Sequence, residues 1–139
     1  MKSLARRYFE DLFNAGRLEV AEEILDPAIS FAGPLHPEPL HGMEAFRGFA
    51  VGWYTGFPDR HFELLAEWVD PGRIACHFHI AGTHRGEFLG RPATGNTIDV
   101  RAMNVMTIEG GKIRAIEAYF NPVELLRAIG LDRTAAGEP

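Results

Sequence analysis

Three features of the sequence predict an α+β fold with antiparallel, hairpin-linked strands. Apolar residues recur at helical spacing before residue 56 and alternate with polar ones from residue 62 onward. Tight turns at Asp70-Pro71-Gly72 and Glu109-Gly110-Gly111 join the alternating runs. Helices first and hairpins second is the order of a segregated α+β domain.

The elements follow in order. Leu4, Tyr8 and Leu12, with Phe9 and Phe13 beside them, form the apolar face of a helix over 4–13, stopped by Asn14-Ala15-Gly16. Leu18 to Leu25 reads as a second short helix ended by Asp26-Pro27. Ile29 and Phe31 alternate in a short strand, and the loop GPLHPEPLHG follows. A third helix runs from Met43 to Thr55 with Phe46, Phe49, Ala50 and Trp53 on one side, closed by Gly56. Strands are expected over 62–69, 74–83, 99–108 and 113–120, with a glycine- and proline-rich loop after the second. Asn121-Pro122-Val123-Glu124 opens a last helix, since Asn caps, Pro suits the first turn and Glu can close a capping box.

The chain has 139 residues, 46% hydrophobic and 24% charged, which suits one domain over 1–139, with 1–3 and 132–139 expected to fray. Cys76 is the lone cysteine, so a secreted disulfide scaffold is excluded and a reducing, cytoplasmic setting is expected. A formal charge of −5, with no Lys/Arg cluster beyond a pair, argues against a nucleic-acid partner. No apolar run approaches the roughly 18 residues of a membrane span, so no membrane partner is expected either.

No phosphate-cradling loop, dinucleotide fingerprint, cysteine pair or HExxH is present, so no cofactor is expected. Cys76 and His77 are neighbours on a strand and point to opposite faces, which makes a poor nucleophile–base pair. Alternation places Cys76, Phe78 and Ile80 on one face and Ala75, His77, His79 and Ala81 on the other. Two histidines among alanines need partners, a subunit interface or a wet cavity. They lack an obvious third ligand, so no metal is expected. Asn104 is polar in mid-strand, where Asn is disfavoured, and is either a satisfied core amide or a ligand contact. Glu117 and Tyr119 share a face, and the preferred reading for Glu117 is a charge on the outer face; Asn121 is read as a helix cap.

The sequence resembles the SnoaL-like polyketide cyclase group of the nuclear transport factor 2-like superfamily. The resemblance rests on RRYFEDLFNAGRLEVAEEILDP, HGMEAFRGFAVGWYTGFPD, GTHRGEFLG, PATG, IEGGKI and YFNPVELLRAIG, in that order. It implies a cone-shaped pocket, a bent antiparallel sheet closed by N-terminal helices. A homodimer through the outer sheet face is also implied. Relatives such as ketosteroid isomerase and limonene epoxide hydrolase need no cofactor. The resemblance implies that a polar group in the pocket moves a proton while hydrogen-bond donors hold a developing oxyanion, or that two carboxylates activate a water. Here Ala118 and Asn121 stand where relatives similar to R-D-Y-F-D or Y-Y-D carry acids, and Asn104 replaces another.

The expectation that follows is a histidine-based site. His79 would be the acid/base, with His77 or Asn104 donating to an oxyanion. Trp53, Phe46, Met106, Ile116 and Phe120 would form an apolar wall, with Ala118 and Asn121 beside it, suited to a small hydrophobic substrate. Two function classes stay open. One is a cofactor-independent enzyme of cyclase, isomerase or lyase type; the other is a binding or assembly module that has lost its acids.

Overall fold

A computed structural model describes residues 2–131; Met1 and 132–139, part of the termini expected to fray, lie outside the described residues. Ser3 is tied down, accepting from the Arg6 N–H at 3.1 Å as the cap of the first helix. That helix, α1, starts as one α-helical turn over Leu4–Arg6. It continues over Arg7–Asn14 as a wider helix, which ends with the Ala15 N–H reaching back five residues to the Glu10 carbonyl at 3.0 Å. The helix expected over 4–13 is therefore present, with a π-type winding that spacing alone does not distinguish.

The remaining elements are α2 (Val20–Ile24), β1 (Leu25–Ala32), β2 (Leu40–His41), α3 (Met43–Gly56) and β3 (His61–Asp70). Then come β4 (Arg73–Thr83), β5 (Thr97–Glu109), β6 (Lys112–Tyr119) and α4 (Val123–Ala128). All six strands form one sheet in the order β2-β1-β6-β5-β4-β3. The α+β class holds, and β3 to β6 are joined as the expected antiparallel hairpins. One pairing differs: β1 lies parallel to β6, with Phe31 opposite Ile116. The sheet is thus mixed, because the chain between β1 and β6 makes a long excursion that lets β1 arrive beside β6 in the same direction. Register shifts between Leu25 and Ser30, Leu64 and Ala66, and Thr107 and Ile108 bend it.

α1 and α3 pack on one face of this bent sheet. Phe9 lies over Phe78 at 4.6 Å and Phe13 over Phe62 at 4.9 Å between ring centres. Asn14 fastens the end of α1 to β3 with two bonds, its amide donating to the Phe62 carbonyl at 2.8 Å and accepting from the Phe62 N–H at 2.7 Å. At the far end of α3, Asp59 accepts from both the N–H and the hydroxyl of Thr83, each at 2.7 Å. Those bonds hold its carboxyl below the usual carboxylate range. Thr94 carries His84 and α4 together: its hydroxyl donates to the Ala128 carbonyl at 2.7 Å and lies 3.0 Å from His84 Nδ1. Among the described residues no helix is long and apolar enough to cross a membrane.

Candidate functional site

The space between the helices and the sheet is a cavity with about 470 Å³ of unfilled volume, its open mouth included. Its walls are aromatic: Tyr8, Phe9 and Phe13 from α1, Phe49 and Trp53 from α3, Phe62 and Phe78 from the sheet. Residues Gly33, Pro34, Leu35 and His36, just beyond β1, bound one side, and Ala118 and Phe120 bound the other. The sequence builds this lining by simple periodicity. Residues spaced four or five apart on α1 face inward, and even-numbered residues of β4 and β5 share the inner face with Ile116 and Ala118 of β6.

Three polar side chains reach this apolar space. Asn104 is 2% exposed, lies opposite Cys76 on β4 and Ala118 on β6, and its Oδ1 has no hydrogen-bond partner among the described residues. His36 leans against Phe31 and Phe49, with ring centres 6.3 and 5.5 Å away, and its Nε2 is also buried without a partner among the described residues. Burial lowers the imidazole below its ordinary value, so His36 is a neutral base at neutral pH. Tyr8 is 3% exposed, and burial pushes its phenol far above the ordinary range, so it stays a hydrogen-bond donor throughout. Among the described residues no carboxylate belongs to the lining.

The histidine expectation needs correction. Alternation separated the two faces of β4 as expected, but the cavity lies on the side of Cys76, Phe78 and Ile80. His77 and His79 occupy the opposite face, beside Met103 and Arg101 of β5. There His79 Nε2 bonds to the Asp99 carboxylate, so its partner is an ordinary surface acid. The two are therefore not brought together with Asn104. For His79 a cross-strand carboxylate, not the cavity, supplies the partner.

The other expected residues divide. Asn104, Trp53, Ala118 and Phe120 line the cavity. Phe46, Met106 and Ile116 are buried on the inner side, where Phe46 backs the lining through Tyr8, Phe13, Phe31 and Phe49; none of the three belongs to the cavity wall. Asn121 is exposed and is not part of the cavity lining; its Oδ1 accepts from the Val123 N–H at 3.0 Å in the turn that opens α4. Glu117 and Tyr119 sit on the outer face, joined by a Tyr119-to-Glu117 hydrogen bond of 3.0 Å. Cys76 is fully buried and its thiol is pushed up to about 12 by burial, which makes it packing.

Sequence reasoning missed Tyr8 and His36. Tyr8 was absorbed into the apolar face of α1, although a buried phenol needs a partner for its hydroxyl. His36 sat in a loop whose path periodicity does not encode. Its one signal is the pair of prolines, Pro34 and Pro37, which stiffen that loop. Among the described residues no three His, Cys, Asp or Glu side chains gather as they would to hold a metal ion.

Comparison with known proteins places this geometry. The family model described as SnoaL-like polyketide cyclase matches residues 3–129. The aklanonic acid methyl ester cyclase DauD of Streptomyces sp. (strain C5) is 32% identical over 114 residues, covering 80% of this chain and 70% of that protein. The aklanonic acid methyl ester cyclase DnrD of Streptomyces peucetius is 30% identical over 114 residues, covering 80% and 77%. Among solved structures, a SnoaL-like protein of Jannaschia sp. CCS1 superimposes with a TM-score of 0.82 at 21% identity, over 91% of this chain and 88% of that one. TsrD of Streptomyces laurentii does so with 0.79 at 22% identity, over 92% of each. The structural likeness concerns the fold; the family model, spanning nearly the whole chain, and the two cyclases settle the lineage. With its helices closed over one face of a bent sheet and an aromatic cavity between, the chain belongs to the SnoaL-like polyketide cyclase family.

Proposed function

We propose that this protein closes a ring in a small, hydrophobic, carbonyl-bearing substrate by acid–base chemistry, using its own side chains and no cofactor. The observation that carries the reading is Asn104: a side chain 2% exposed, inside an aromatic cavity, with an amide oxygen that no described residue satisfies. Burying such a group without a partner costs on the order of 1–3 kcal/mol, which a bound hydroxyl or enol would offset. The relatives named for aklanonic acid methyl ester make that ester the first substrate to offer.

The step is proton transfer around one new carbon–carbon bond. His36, neutral because burial disfavours its charged form, takes the proton from a carbon next to a carbonyl. The enolate carbon attacks a second carbonyl carbon of the same molecule, whose oxygen becomes an alkoxide. Tyr8 donates a hydrogen bond to the developing charge, the Asn104 Oδ1 accepts from a hydroxyl of the substrate, and His36 returns its proton to the alkoxide oxygen. No electrons leave the substrate, and the atoms of substrate and product are the same.

Expected results are specific. His36→Gln should keep ligand affinity and lose turnover by about 100-fold or more. The wild-type rate should fall in acid, with its limb below the ordinary imidazole value of about 6.5, because the base must be unprotonated and burial lowers its pKa. Unchanged turnover in His36→Gln would refute the assignment. A second reading, a binding module without turnover, draws on a cavity lining in which the described residues include no carboxylate. Tight binding of the ester with no ring closure at any pH would favour it. The same proposal includes a homodimer through the outer sheet face, supported by the exposed Trp68, Met103 and Tyr119 there.

A further inference from the structure

The part of the cavity wall that carries His36 is held differently from the rest of the protein. Residues 33–39, between the end of β1 at Ala32 and the start of β2 at Leu40, form a strap of sequence GPLHPEP. Both ends are pinned: Ser30 pairs with His41 and Phe31 with Leu40, and the Gly42 N–H donates to the Ile29 carbonyl at 2.7 Å. Between the ends, the His36 N–H donates to the Gly33 carbonyl at 3.3 Å, a bond that stays within the strap. Among the described residues, no hydrogen bond or ion pair joins 33–39 to any other part of the protein.

The loop over 84–96 is built the opposite way. Its Arg85 N–H donates to the Gly56 carbonyl at 2.9 Å, its Thr94 and Asn96 side chains to the Ala128 carbonyl at 2.7 and 3.0 Å, and Arg91 to the Gly130 carbonyl at 3.1 Å. Polar bonds thus fasten that loop to α3 and α4, whereas the strap rests on apolar contact alone. Leu35 packs half-buried against the core, and the His36 ring lies against Phe31 and Phe49. Segments so loosely tied open at the lowest free-energy cost in a fold. Pro34, Pro37 and Pro39 stiffen the strap, so it moves as a unit, turning at Gly33 where the backbone is freest. Its inward position also carries a cost, because the His36 Nε2 is buried with no partner among the described residues and would be hydrated outside. A ligand that bonds this nitrogen removes the cost in the inward position only, which couples binding to closure.

We infer that the strap is a hinged carrier of the proposed base, moving between an outward position with His36 hydrated and the inward one, and that bound ligand holds it inward. His36 is then positioned by the molecule it acts on, and the wall is complete only when the cavity is filled. The inference rests on the cavity reading above for the part His36 plays.

The test is a distance measurement by double electron–electron resonance between nitroxide labels on Glu38→Cys, in the strap, and Val51→Cys, on α3, both exposed positions. Cys76 is fully buried and stays unlabelled. The free protein should show two distances, and saturation with 2-naphthol, a flat aromatic alcohol, should abolish one of them. His36→Phe keeps the ring contacts and removes the orphaned nitrogen, so in that variant the same distance should be lost without ligand. A second pair, Glu38→Cys with Glu109→Cys in the β5–β6 turn, reads the movement from another direction and replaces the first pair if its labels disturb the fold. One narrow distance in the free protein, unchanged at saturating 2-naphthol, would overturn the inference and leave the cavity reading intact. Two distances persisting in His36→Phe as in the wild type would overturn it as well, since the imidazole would not be what the ligand relieves. Failure of the wild type to bind 2-naphthol in calorimetric titration would overturn the cavity reading and the inference with it.

Discussion

A buried asparagine among phenyl rings costs free energy until a ligand or water meets its amide, so residues of this kind trade stability for recognition. Asn104 should show that trade directly. Asn104→Leu keeps the shape, removes the unsatisfied oxygen and should leave the protein as stable or up to about 1–3 kcal/mol more stable in urea denaturation. Its affinity for hydroxyl-bearing ligands should fall. A marked loss of stability would mean that the amide is a structural hydrogen-bonding group after all. The sequence made Asn104 visible because polar residues are rare in mid-strand. It did not reveal on which side of β4 the cavity lay. Alternation splits a strand into two sets without naming the inner one, and His77 and His79 drew the choice to the wrong set. The neighbouring strands held the answer: the outer set includes Arg101 and Glu117, while the inner set is Phe62, Phe78, Ile80, Ala102 and Met106.

At the scale of elements, most motifs that carry the family resemblance hold the frame and not the chemistry. Asp59 fastens the end of α3 to β4, Thr94 fastens the loop before β5 to α4, and Asn121 accepts from the Val123 N–H in the turn that opens α4. Gly86 allows the Arg85 and Gly86 N–H groups to donate to the Gly56 carbonyl at 2.9 and 3.3 Å, because its own Cα passes against Thr55. The contrast with Gly48, inside α3, gives a paired prediction. Gly86→Ala should cost about 1–3 kcal/mol through overpacking against backbone. Gly48→Ala should stabilise by about 0.5–1 kcal/mol, since it adds helix preference and meets nothing. Chemical denaturation of both variants checks the signs; equal effects would deny the distinction. Element type was legible wherever a period of two or of three to four ran long enough. The winding of α1 and the two-residue β2 were not, because hydrophobic spacing reports a face and not a hydrogen-bond pattern.

Over the whole molecule, the sheet is the boundary between two chemistries. Its inner face is aromatic and holds Asn104; its outer face mixes the His79–Asp99 pair with Trp68, Met103 and Tyr119, each more than 40% exposed. If a second copy covers that outer face, Trp68→Glu should shift the sedimentation coefficient toward the monomer without altering ligand affinity in the cavity. A wild type that sediments as a monomer at every concentration would end that part of the proposal. The α+β class and the hairpin order were readable from local turns. The parallel pairing of β1 with β6 was not, since it depends on two segments more than eighty residues apart meeting in space, as Phe31 and Ile116 do. The proposed function puts ligand chemistry on the inner face of the sheet. The most direct test is a side-chain amide and imidazole NMR titration with 2-naphthol. The Asn104 amide and His36 ring signals should move saturably together while those of His77 and His79 stay still; movement of His77 and His79 with a silent Asn104 would contradict it.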